Sequence, residues 1–393
     1  MEQVVVAVLF GGRSCEHEIS ILTAHQAMAV LRPMPGYSVV PVYVTRDGRW
    51  LTGEALNHLD RFKDAEQLEQ DCTQIVLRPM AKGSAMSAIR RRLGQPRAIP
   101  IDVVFPMIHG TNGEDGTLQG ALETLGLPYV GSGILASALG MNKVAMKQMF
   151  AFAGLPQVPY AVISDALWRA DSQAELAKVD ELTDGPVFVK PVHGGSSIGV
   201  TSVRTRDALA PAIELALHFD EEAIVEAAVL NAADVNCSVL RLGETVETSV
   251  LESIRTADSF LSYADKYMQW GKAKPSKGLE GHAIPASLPD DITQQVKALA
   301  KTAFEACYCD GVARIDFLLR GDDIYVNEIN TMPGSLAFYL WEASGMPFDR
   351  MLDLLLKSAI ARWEARRSLT FSLDRNLLVE IDTQKNAAKR VGL

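Results

Sequence analysis

The chain has 393 residues, of which 48% are hydrophobic and 22% charged, and its formal net charge is −10 at pH 7. This length and composition predict about two or three globular domains with ample core, and they exclude a largely disordered chain. The charge is acidic and the longest basic cluster is the arginine run at 90–92, which we interpret as a solvated helix face. Nucleic acid is therefore excluded as a partner.

The cysteines and the apolar N-terminal run indicate the compartment. Five cysteines, an odd number with no CxxC spacing, are typical of free thiols in a reducing environment. The apolar run at 4–10 is too short to span a bilayer, and no basic segment precedes it. We expect a soluble, cytoplasmic protein with no membrane partner.

The first third of the chain alternates strand and helix patterns. Apolar runs at 4–10, 37–45 and 101–108 predict buried strands, and an amphipathic pattern between the first two predicts a helix. A short helix is predicted from 117 to 126. Residues 53–98 are polar and weakly patterned, which predicts helix and loop. The alternation is typical of a doubly wound α/β lobe.

Glycine and proline positions divide the rest of the chain. A helix at 142–153 ends before Gly154, and the following "LPQVPY", with two prolines, indicates a boundary between lobes. The predicted units are an N-terminal α/β lobe at 1–135, a central lobe with a glycine-rich flap at 136–229, a C-terminal lobe at 230–363 and an extension of unknown role at 364–393.

Two segments, "ARIDFLL" and "IYVNEIN", flank the short turn "GDD" and predict a β-hairpin. If residues 321–323 form the loop, antiparallel pairing sets Asp316 opposite Glu328 and Arg314 opposite Asn330. Residues of the same parity share a face of a strand, so all four side chains lie on one side. The sequence therefore predicts a cluster of polar side chains on the hairpin.

This cluster predicts a metal site. Opposed carboxylates about 5 Å apart repel by roughly 3 kcal/mol at an effective dielectric of about 20, so a cation is expected between them. The oxygen ligands of Asp316, Glu328 and Asn330 suit Mg²⁺ or Mn²⁺ better than zinc, and such an ion commonly shares its remaining positions with phosphate. For any single acid a solvated hairpin face is the better explanation; for the whole set, with Arg314, the metal site is.

A second motif, "VKPVHGGSSIGV", indicates phosphate binding. Lys190 ends a strand and a small-residue loop follows at 194–199, where converging backbone N–H groups could hold an anion. The order differs from a Walker A loop, and most Gly/Ser clusters are simple turns. Lys143 begins a helix, where its charge opposes the macrodipole unless an anion is near. An exposed surface lysine explains Lys143 equally well.

Two loops of the first lobe follow buried strands, at the sheet edge where open α/β folds bind ligands. In "GGRSCEHEIS", Ser14 can cap the next helix, and Glu16 and Glu18 suit its N-terminus, so a capping role competes with one in holding an ammonium group. In "IHGTNGEDGT", His109 is either a cleft residue or a satisfied loop histidine.

Together these motifs resemble the D-alanine:D-alanine ligase family of the ATP-grasp superfamily, from about residue 4 to about 356. The resemblance is carried in order by "FGGRSCEHEIS", "HGTNGEDGTLQGALETLGLPYVGSG", "LASALGMNKVAMK", "VFVKPVHGGSSIGV", "SYADKY", "GVARIDFLL" and "VNEINTMPG". It implies an ATP-grasp fold of three parts: the N-terminal doubly wound α/β lobe, a small central α+β lobe and a C-terminal α+β lobe. The implied reaction phosphorylates one amino acid's carboxylate with ATP and lets a second amino acid's amine attack it, for cell-wall precursor synthesis.

The resemblance also assigns roles. The ATP site comprises Lys143, Lys190, Ser196, Ser197, Glu226, the backbone at Val229, Asp234 and Lys266. The metal ligands, expected to hold two Mg²⁺ (or Mn²⁺) ions, are Asp316, Glu328 and Asn330. The residues that bind the amino acids are Glu16, His109, Tyr267, Arg314, Gly334 and Tyr339. The catalytic residues are Glu16, Ser196 and Arg314. Glu16 would hold the first ammonium, Arg314 the tetrahedral oxyanion, and Lys266 and Tyr267 would belong to a lid.

Two departures from the family concern the ligands. Asp234 is shorter than the glutamate that usually holds the ribose. After "NTMPG" the usual hydroxyl-rich stretch is replaced by the apolar "SLAFYLWEASG", in which Tyr339 is the best substitute hydroxyl. The second substrate is therefore D-alanine or a different amino acid. A homologue that binds nucleotide without ligating is the third alternative, and a homodimer is left open.

Overall fold

The computed structural model describes residues 3–79, 84–89, 98–254 and 283–370. These residues form three sheets, which follow one another along the chain. Among the helices within those ranges, none has the length and apolar character needed to cross a membrane. The arginine run at 90–92, Lys266, Tyr267 and most of the predicted extension lie outside the described residues.

The N-terminal sheet has a parallel centre and an antiparallel side. Its strands are β1 (Val4–Gly11), β2 (Tyr37–Val44), β3 (Trp50–Thr52), β4 (Thr73–Pro79), β5 (Ser84–Ala88), β6 (Ile99–Ile101) and β7 (Val103–Pro106), in the order β6-β5-β4-β3-β2-β1-β7. Strand β1 lies parallel to both β2 and β7, and the remaining described pairs are antiparallel. The helices are α1 (His17–Leu31), α2 (Ala65–Asp71) and α3 (Thr117–Thr124).

The predicted strands and helices of the first third are confirmed, with one correction. Residues 53–98 contain β4 and β5, where helix and loop were predicted. Ile75 is the one buried residue of β4, so the strand shows no regular alternation of buried and exposed side chains. A strand with so little buried apolar surface has no clear period in its sequence.

Two helices lead from the first sheet to the second: α4 (Ile134–Met141) and α5 (Lys143–Phe152). The second sheet is antiparallel, in the order β10-β9-β11-β8. Its elements are β8 (Tyr160–Ser164), α6 (Asp165–Ala170), α7 (Ser172–Leu182), β9 (Val187–Pro191), β10 (Thr201–Val203), α8 (Leu209–Phe219) and β11 (Glu222–Ala227).

The third sheet is also antiparallel, in the order β13-β12-β14-β15. Its elements are β12 (Ala233–Leu242), β13 (Thr245–Ile254), α9 (Asp290–Ala306), β14 (Val312–Arg320), β15 (Asp323–Asn330), α10 (Phe338–Ala343) and α11 (Phe348–Arg367). Helix α11 runs into the segment predicted as a separate extension, so that segment begins inside a helix.

The hairpin of β14 and β15 has the predicted facing pairs but not the predicted turn. Asp316 lies opposite Glu328, and Arg314 opposite Asn330, as the sequence predicted. The loop, however, is a two-residue turn, because Arg320 pairs directly with the first residue of β15.

A β-bulge compensates for the shorter turn. Phe317 pairs with Val326 while the preceding pair involves residue 328, so Asn327 is left as the extra residue. The sequence carried a signal of this bulge, because the buried positions of β15 change parity between Val326 and Ile329. The bulge turns the carboxylate of Glu328 to the same face as that of Asp316.

The hydrophobic core fixes where the hairpin lies. Its buried face, with Ile315, Phe317 and Ile329, belongs to one cluster with Met146 and Phe150 of α5. Burying each such side chain contributes roughly 1.5–3 kcal/mol. Helix α5 is thereby held against the hairpin. A separate cluster joins the N-terminal sheet to α10 and α11.

Candidate active site

The polar face of the third sheet carries a row of acidic side chains. Asp316 lies between Glu328 on one side and Asn236 on the other, and Asn236 pairs with Glu252 on the next strand. Arg314 binds Asp316 through both carboxylate oxygens, with Nε 2.6 Å from Oδ1 and Nη2 2.7 Å from Oδ2. Burial opposes the charge of Arg314, but Asp316 outweighs burial and raises the pKa of the guanidinium well above its usual value. Arg314 is thus a fixed positive charge.

The donors near Asp316 fit a hard cation. Two carboxylates, Asp316 and Glu328, and the amide oxygen of Asn330 form an all-oxygen set, and Asn330 Nδ2 donates to Asp316 Oδ2 at 3.1 Å. In the described ranges no three or more His, Cys, Asp or Glu side chains are grouped so as to hold a metal. Such a sparse set suits an ion that completes its shell with phosphate and water, as Mg²⁺ does.

Two lysines approach this hairpin from the central lobe and α5. Lys143 Nζ donates to the backbone oxygen of Gly194 at 2.7 Å, which ties α5 to the glycine-rich loop. Burial lowers the pKa of Lys143, and the charge of Glu328 opposes that shift. Burial also acts against the charge of Lys190, but Glu226 and Glu328 outweigh it and raise its pKa. Lys143 and Lys190, beside the acids Glu226 and Glu328, make a site suited to a polyphosphate with a divalent ion.

Glu226 is held by two lysines. Its Oε1 lies 2.7 Å from Lys147 Nζ and its Oε2 lies 2.5 Å from Lys190 Nζ. Burial raises the pKa of the Glu226 carboxyl, but the two lysines outweigh burial and hold it at about 2. Sequence reasoning missed Lys147, although it follows Lys143 by one helical turn. Asp234, at the start of β12, also helps to raise the pKa of Lys190.

The loop after β1 meets the glycine-rich loop. Ser196 Oγ donates a short hydrogen bond to Glu16 Oε1, so residues of the first and second lobes touch here. Gly110 lies so close to Glu16 that a Cβ at position 110 would come within 2.7 Å of Oε2. Its φ of +73° is a second reason for glycine at this position.

His109 is buried behind this contact. Its Nε2 lies 3.0 Å from Thr23 Oγ1, and burial lowers its pKa to about 4 despite a hydrogen bond to the backbone of Met332. The imidazole is therefore neutral at physiological pH.

Glu114 is a further acid that sequence reasoning missed. Its Oε2 accepts from Gly110 N at 2.7 Å and its Oε1 accepts from Met332 N at 3.1 Å. Burial and the negative charge of Glu16 raise its pKa well above the usual value. The repeated acid in "GEDG" was a signal, but its partner Met332 comes from the far end of the chain.

The stretch after β15 carries strained backbone and few spare hydroxyls. Ser335, Leu336 and Ala337 all have φ near +50°, a left-handed conformation that costs each non-glycine residue about 1 kcal/mol or more. Ser335 Oγ donates to Gln26 Oε1 at 2.5 Å, and Ser344 Oγ donates to Leu340 O at 2.6 Å.

Tyr339 is the remaining hydroxyl of that stretch. It donates to Glu252 Oε2 at 2.9 Å, and Asn236 Nδ2 donates to the same oxygen at 3.0 Å. Both Tyr339 and Glu252 lie close enough to Arg314 to raise its pKa. Glu252 was not among the predicted residues. Gly334 begins this stretch, immediately before the left-handed residues.

A glycine-rich loop on one antiparallel sheet and an acidic hairpin on another, bridged by lysines, define the class of ATP-grasp ligases. Two protein-family models match the chain. The model described as "D-ala D-ala ligase N-terminus" matches residues 5–132, and the one described as "D-ala D-ala ligase C-terminus" matches residues 149–357. The chain belongs to the D-alanine–D-alanine ligase family.

Individual relatives agree with this membership. The D-alanine–D-alanine ligase of Thermosipho africanus is 38% identical over 375 residues, covering 95% of this chain and 97% of its own. That of Streptomyces coelicolor is 39% identical over 373 residues, covering 91% and 93%. The solved D-alanine-D-alanine ligase of Coxiella burnetii superposes with a TM-score of 0.77 at 28% identity, covering 94% and 97%. The solved VanG D-Ala:D-Ser ligase from Enterococcus faecalis superposes with a TM-score of 0.76 at 30% identity, and the match covers 91% of this chain and 100% of that chain.

Proposed function

We propose that the chain joins two D-alanines, converting ATP to ADP and phosphate through an acyl phosphate, and so supplies a dipeptide for cell-wall precursors. The observation that carries this proposal is that Lys143 and Lys190 both interact electrostatically with Glu328, which lies opposite Asp316 and its partner Arg314. Phosphoryl transfer needs positioning and charge neutralisation more than a protein nucleophile, and this cluster offers both.

In this proposal Lys143 and Lys190 contact the phosphates, and the loop with Ser196 and Ser197 closes over them. Glu226 and the backbone near Val229 hold the adenine, and Asp234 holds the ribose. Asp316, Glu328 and Asn330 would hold Mg²⁺ or Mn²⁺. When bound, the metal neutralises phosphate charge.

The first D-alanine binds with its ammonium at Glu16. The hydrogen bond from Ser196 to Glu16 supports this role, because it links the flap to the ammonium site. His109, being neutral, adds no charge there. Arg314 stabilises the oxyanion that forms when the amine attacks, and Lys266 and Tyr267, outside the described residues, serve as a lid.

The second amino acid is the finer part of the proposal. We assign its carboxylate to Arg314, the Gly334 amide and Tyr339, which keeps the pocket suited to a small D-amino acid. A phenol has one proton, and that of Tyr339 is donated to Glu252. Binding a carboxylate at Tyr339 therefore requires this hydroxyl to turn from Glu252. The alternative is a different second amino acid, as the name of the D-Ala:D-Ser ligase from E. faecalis illustrates.

Phosphate release from ATP across a panel of D- and L-amino acid pairs tests the proposal. We expect release with D-alanine alone, and the dipeptide as product. Failure to couple two D-alanines at millimolar concentration contradicts the assigned function, and no release with any pair favours a homologue that binds nucleotide without ligating.

The Tyr339→Phe variant separates the two possibilities for the second site. Loss of a hydroxyl that binds the second carboxylate raises the KM for the second D-alanine by about fivefold or more and leaves the KM for the first unchanged. An unchanged KM for the second D-alanine would mean that the hydroxyl serves Glu252 alone.

A further inference from the structure

Lys147 is a buried charge with no assigned role in the reaction. Its side chain is 1% exposed, and its Nζ lies 2.7 Å from Glu226 Oε1. Within the described residues, no hydrogen-bond acceptor with good geometry reaches this Nζ, and the ring of Tyr160 covers it, with the centroid 5.5 Å away. Glu226 is thus the one charge of opposite sign that balances Lys147 in this part of the structure.

Two lysines contact Glu226, and they differ in exposure. Lys147 is enclosed by α5 and β8, whereas the side chain of Lys190 is 15% exposed and interacts electrostatically with Glu328 of the hairpin. A buried carboxylate that loses its only cation is strongly disfavoured and takes up a proton instead. With Lys147 in place, Lys190 can leave Glu226 without stranding that charge.

We propose that Lys147 is a positioning residue for nucleotide binding: it keeps Glu226 ionised and in place, so that Lys190 is free to give its charge to the phosphates. This inference rests on the proposed function, in which Lys190 contacts ATP. Lys143 and Lys147 lie one turn apart on α5, so one helix supplies a cation to the phosphates and a counter-ion to Glu226.

The test measures the affinities of ATP and adenosine, without amino acids, for the wild type and three variants: Lys147→Met, Glu226→Gln and the double variant. Lys147→Met lowers the affinity for ATP by about tenfold or more, because Glu226 now retains Lys190. It leaves the affinity for adenosine, which has no phosphates, unchanged. In the double variant the residue at position 226 is neutral and no longer competes with the phosphates for Lys190. The ratio of ATP affinity to adenosine affinity therefore returns to that of Glu226→Gln alone.

Calorimetry in buffers of different ionisation enthalpy adds an independent readout. In Lys147→Met, ATP binding takes up as much as about one proton more than in the wild type, because Glu226 is protonated when Lys190 leaves it. Lys178→Met, which removes a half-exposed lysine of the same lobe, is the matched control and behaves as the wild type.

Several results would overturn the inference. These are an equal loss of ATP and adenosine binding in Lys147→Met, no difference in proton uptake, or no recovery in the double variant. If Lys147→Met does not fold, two other variants test the same point. Lys147→Arg keeps the charge and should preserve the ratio of ATP affinity to adenosine affinity, whereas Lys147→Gln should lower that ratio. A wild type that binds no ATP contradicts the proposed function instead, since the comparison between variants then never arises.

Discussion

Glu328 carries a charge that acts on both Lys143 and Lys190. Its charge opposes the effect of burial on the pKa of Lys143 and helps to raise that of Lys190. It also faces Asp316 across the hairpin. Replacing its charge therefore changes the electrostatics of the centre without removing any buried apolar surface.

We expect Glu328→Gln to fold normally and to lose phosphate release by about a hundredfold or more, because the neutral amide no longer suits a divalent cation. Its thermal midpoint should stay close to that of the wild type, since a like-charge pair is relieved. Asp323→Asn is the control, because Asp323 begins the same strand, is largely exposed and pairs with Arg320. Full activity of Glu328→Gln would contradict the metal assignment.

Among the connections between elements that the structure describes, the one from β9 to β10 has the most unusual backbone. Gly194, Ser196, Ser197 and Gly199 all have positive φ. The contacts of the loop include the hydrogen bond from Ile198 N to Gly195 O at 3.2 Å, that from Lys143 to Gly194 O and that from Ser196 to Glu16. Because small residues give this segment little intrinsic order, we predict that it opens and closes.

Amide hydrogen exchange should show this loop becoming protected when ATP and Mg²⁺ are added. The backbone amides then bind phosphate oxygens and the loop closes. A peptide from β11, which is paired on both sides, serves as the internal reference. Equal exchange of the loop with and without nucleotide would count against the flap.

His193 ties the base of the same loop to its surroundings. Its Nδ1 lies 2.9 Å from Asp220 Oδ2, and its Nε2 lies 3.0 Å from Asn142 Nδ2. The hydrogen bond with Asp220, opposed in part by burial, raises the pKa of His193 above 6.5. A raised pKa contributes stability that is complete below 6.5 and is lost as pH rises through the value in the folded protein.

An NMR titration should therefore give His193 a pKa above 6.5, and Asp220→Asn should bring it down. Exchange of the loop amides, corrected for intrinsic rates, should increase from pH 6 to pH 8 in the wild type more than in Asp220→Asn. A pKa for His193 below 6.5 in the wild type would refute this coupling.

At the scale of the whole molecule, α11 fastens the C-terminal lobe to the first. Arg362 Nη2 donates to Tyr129 O at 2.9 Å and to Gly131 O at 3.0 Å, while Nη1 lies 2.6 Å from Asp310 Oδ2. One guanidinium thus joins three segments. Arg366 adds an ion pair with Glu123 of α3.

We expect Arg362→Met to lower the free energy of unfolding by about 1–3 kcal/mol, because two carbonyls and a carboxylate lose their donor. Arg350→Met on the same helix is the control; Arg350 is 60% exposed with a 3.5 Å ion pair, so its loss should cost less than about 0.5 kcal/mol. Thermal and urea unfolding measure both variants. An equal loss of unfolding free energy in the two variants would mean that the contacts of Arg362 do not stabilise the junction between the lobes.

The local motifs were predictable because their chemistry lies within short stretches of chain. The facing of Asp316 and Glu328 follows from two strands joined by a tight turn, and it was predicted although the turn length was wrong. The glycine-rich loop and the helix beginning near Lys143 were also predictable, because turns and helix ends are signalled by a few neighbouring residues.

Sequence patterns alone predicted the kind of site: oxygen ligands on a hairpin, a glycine-rich loop expected to bind phosphate, and two lysines. Which partner each buried charge has could be known only from the folded chain. Lys147 with Glu226, Glu114 with Met332 and Tyr339 with Glu252 come from elements far apart in the chain, and no local period reports such contacts. The physical reason is that a buried charge is tolerated only beside its partner, and the partner is chosen by packing of the lobes rather than by spacing along the sequence.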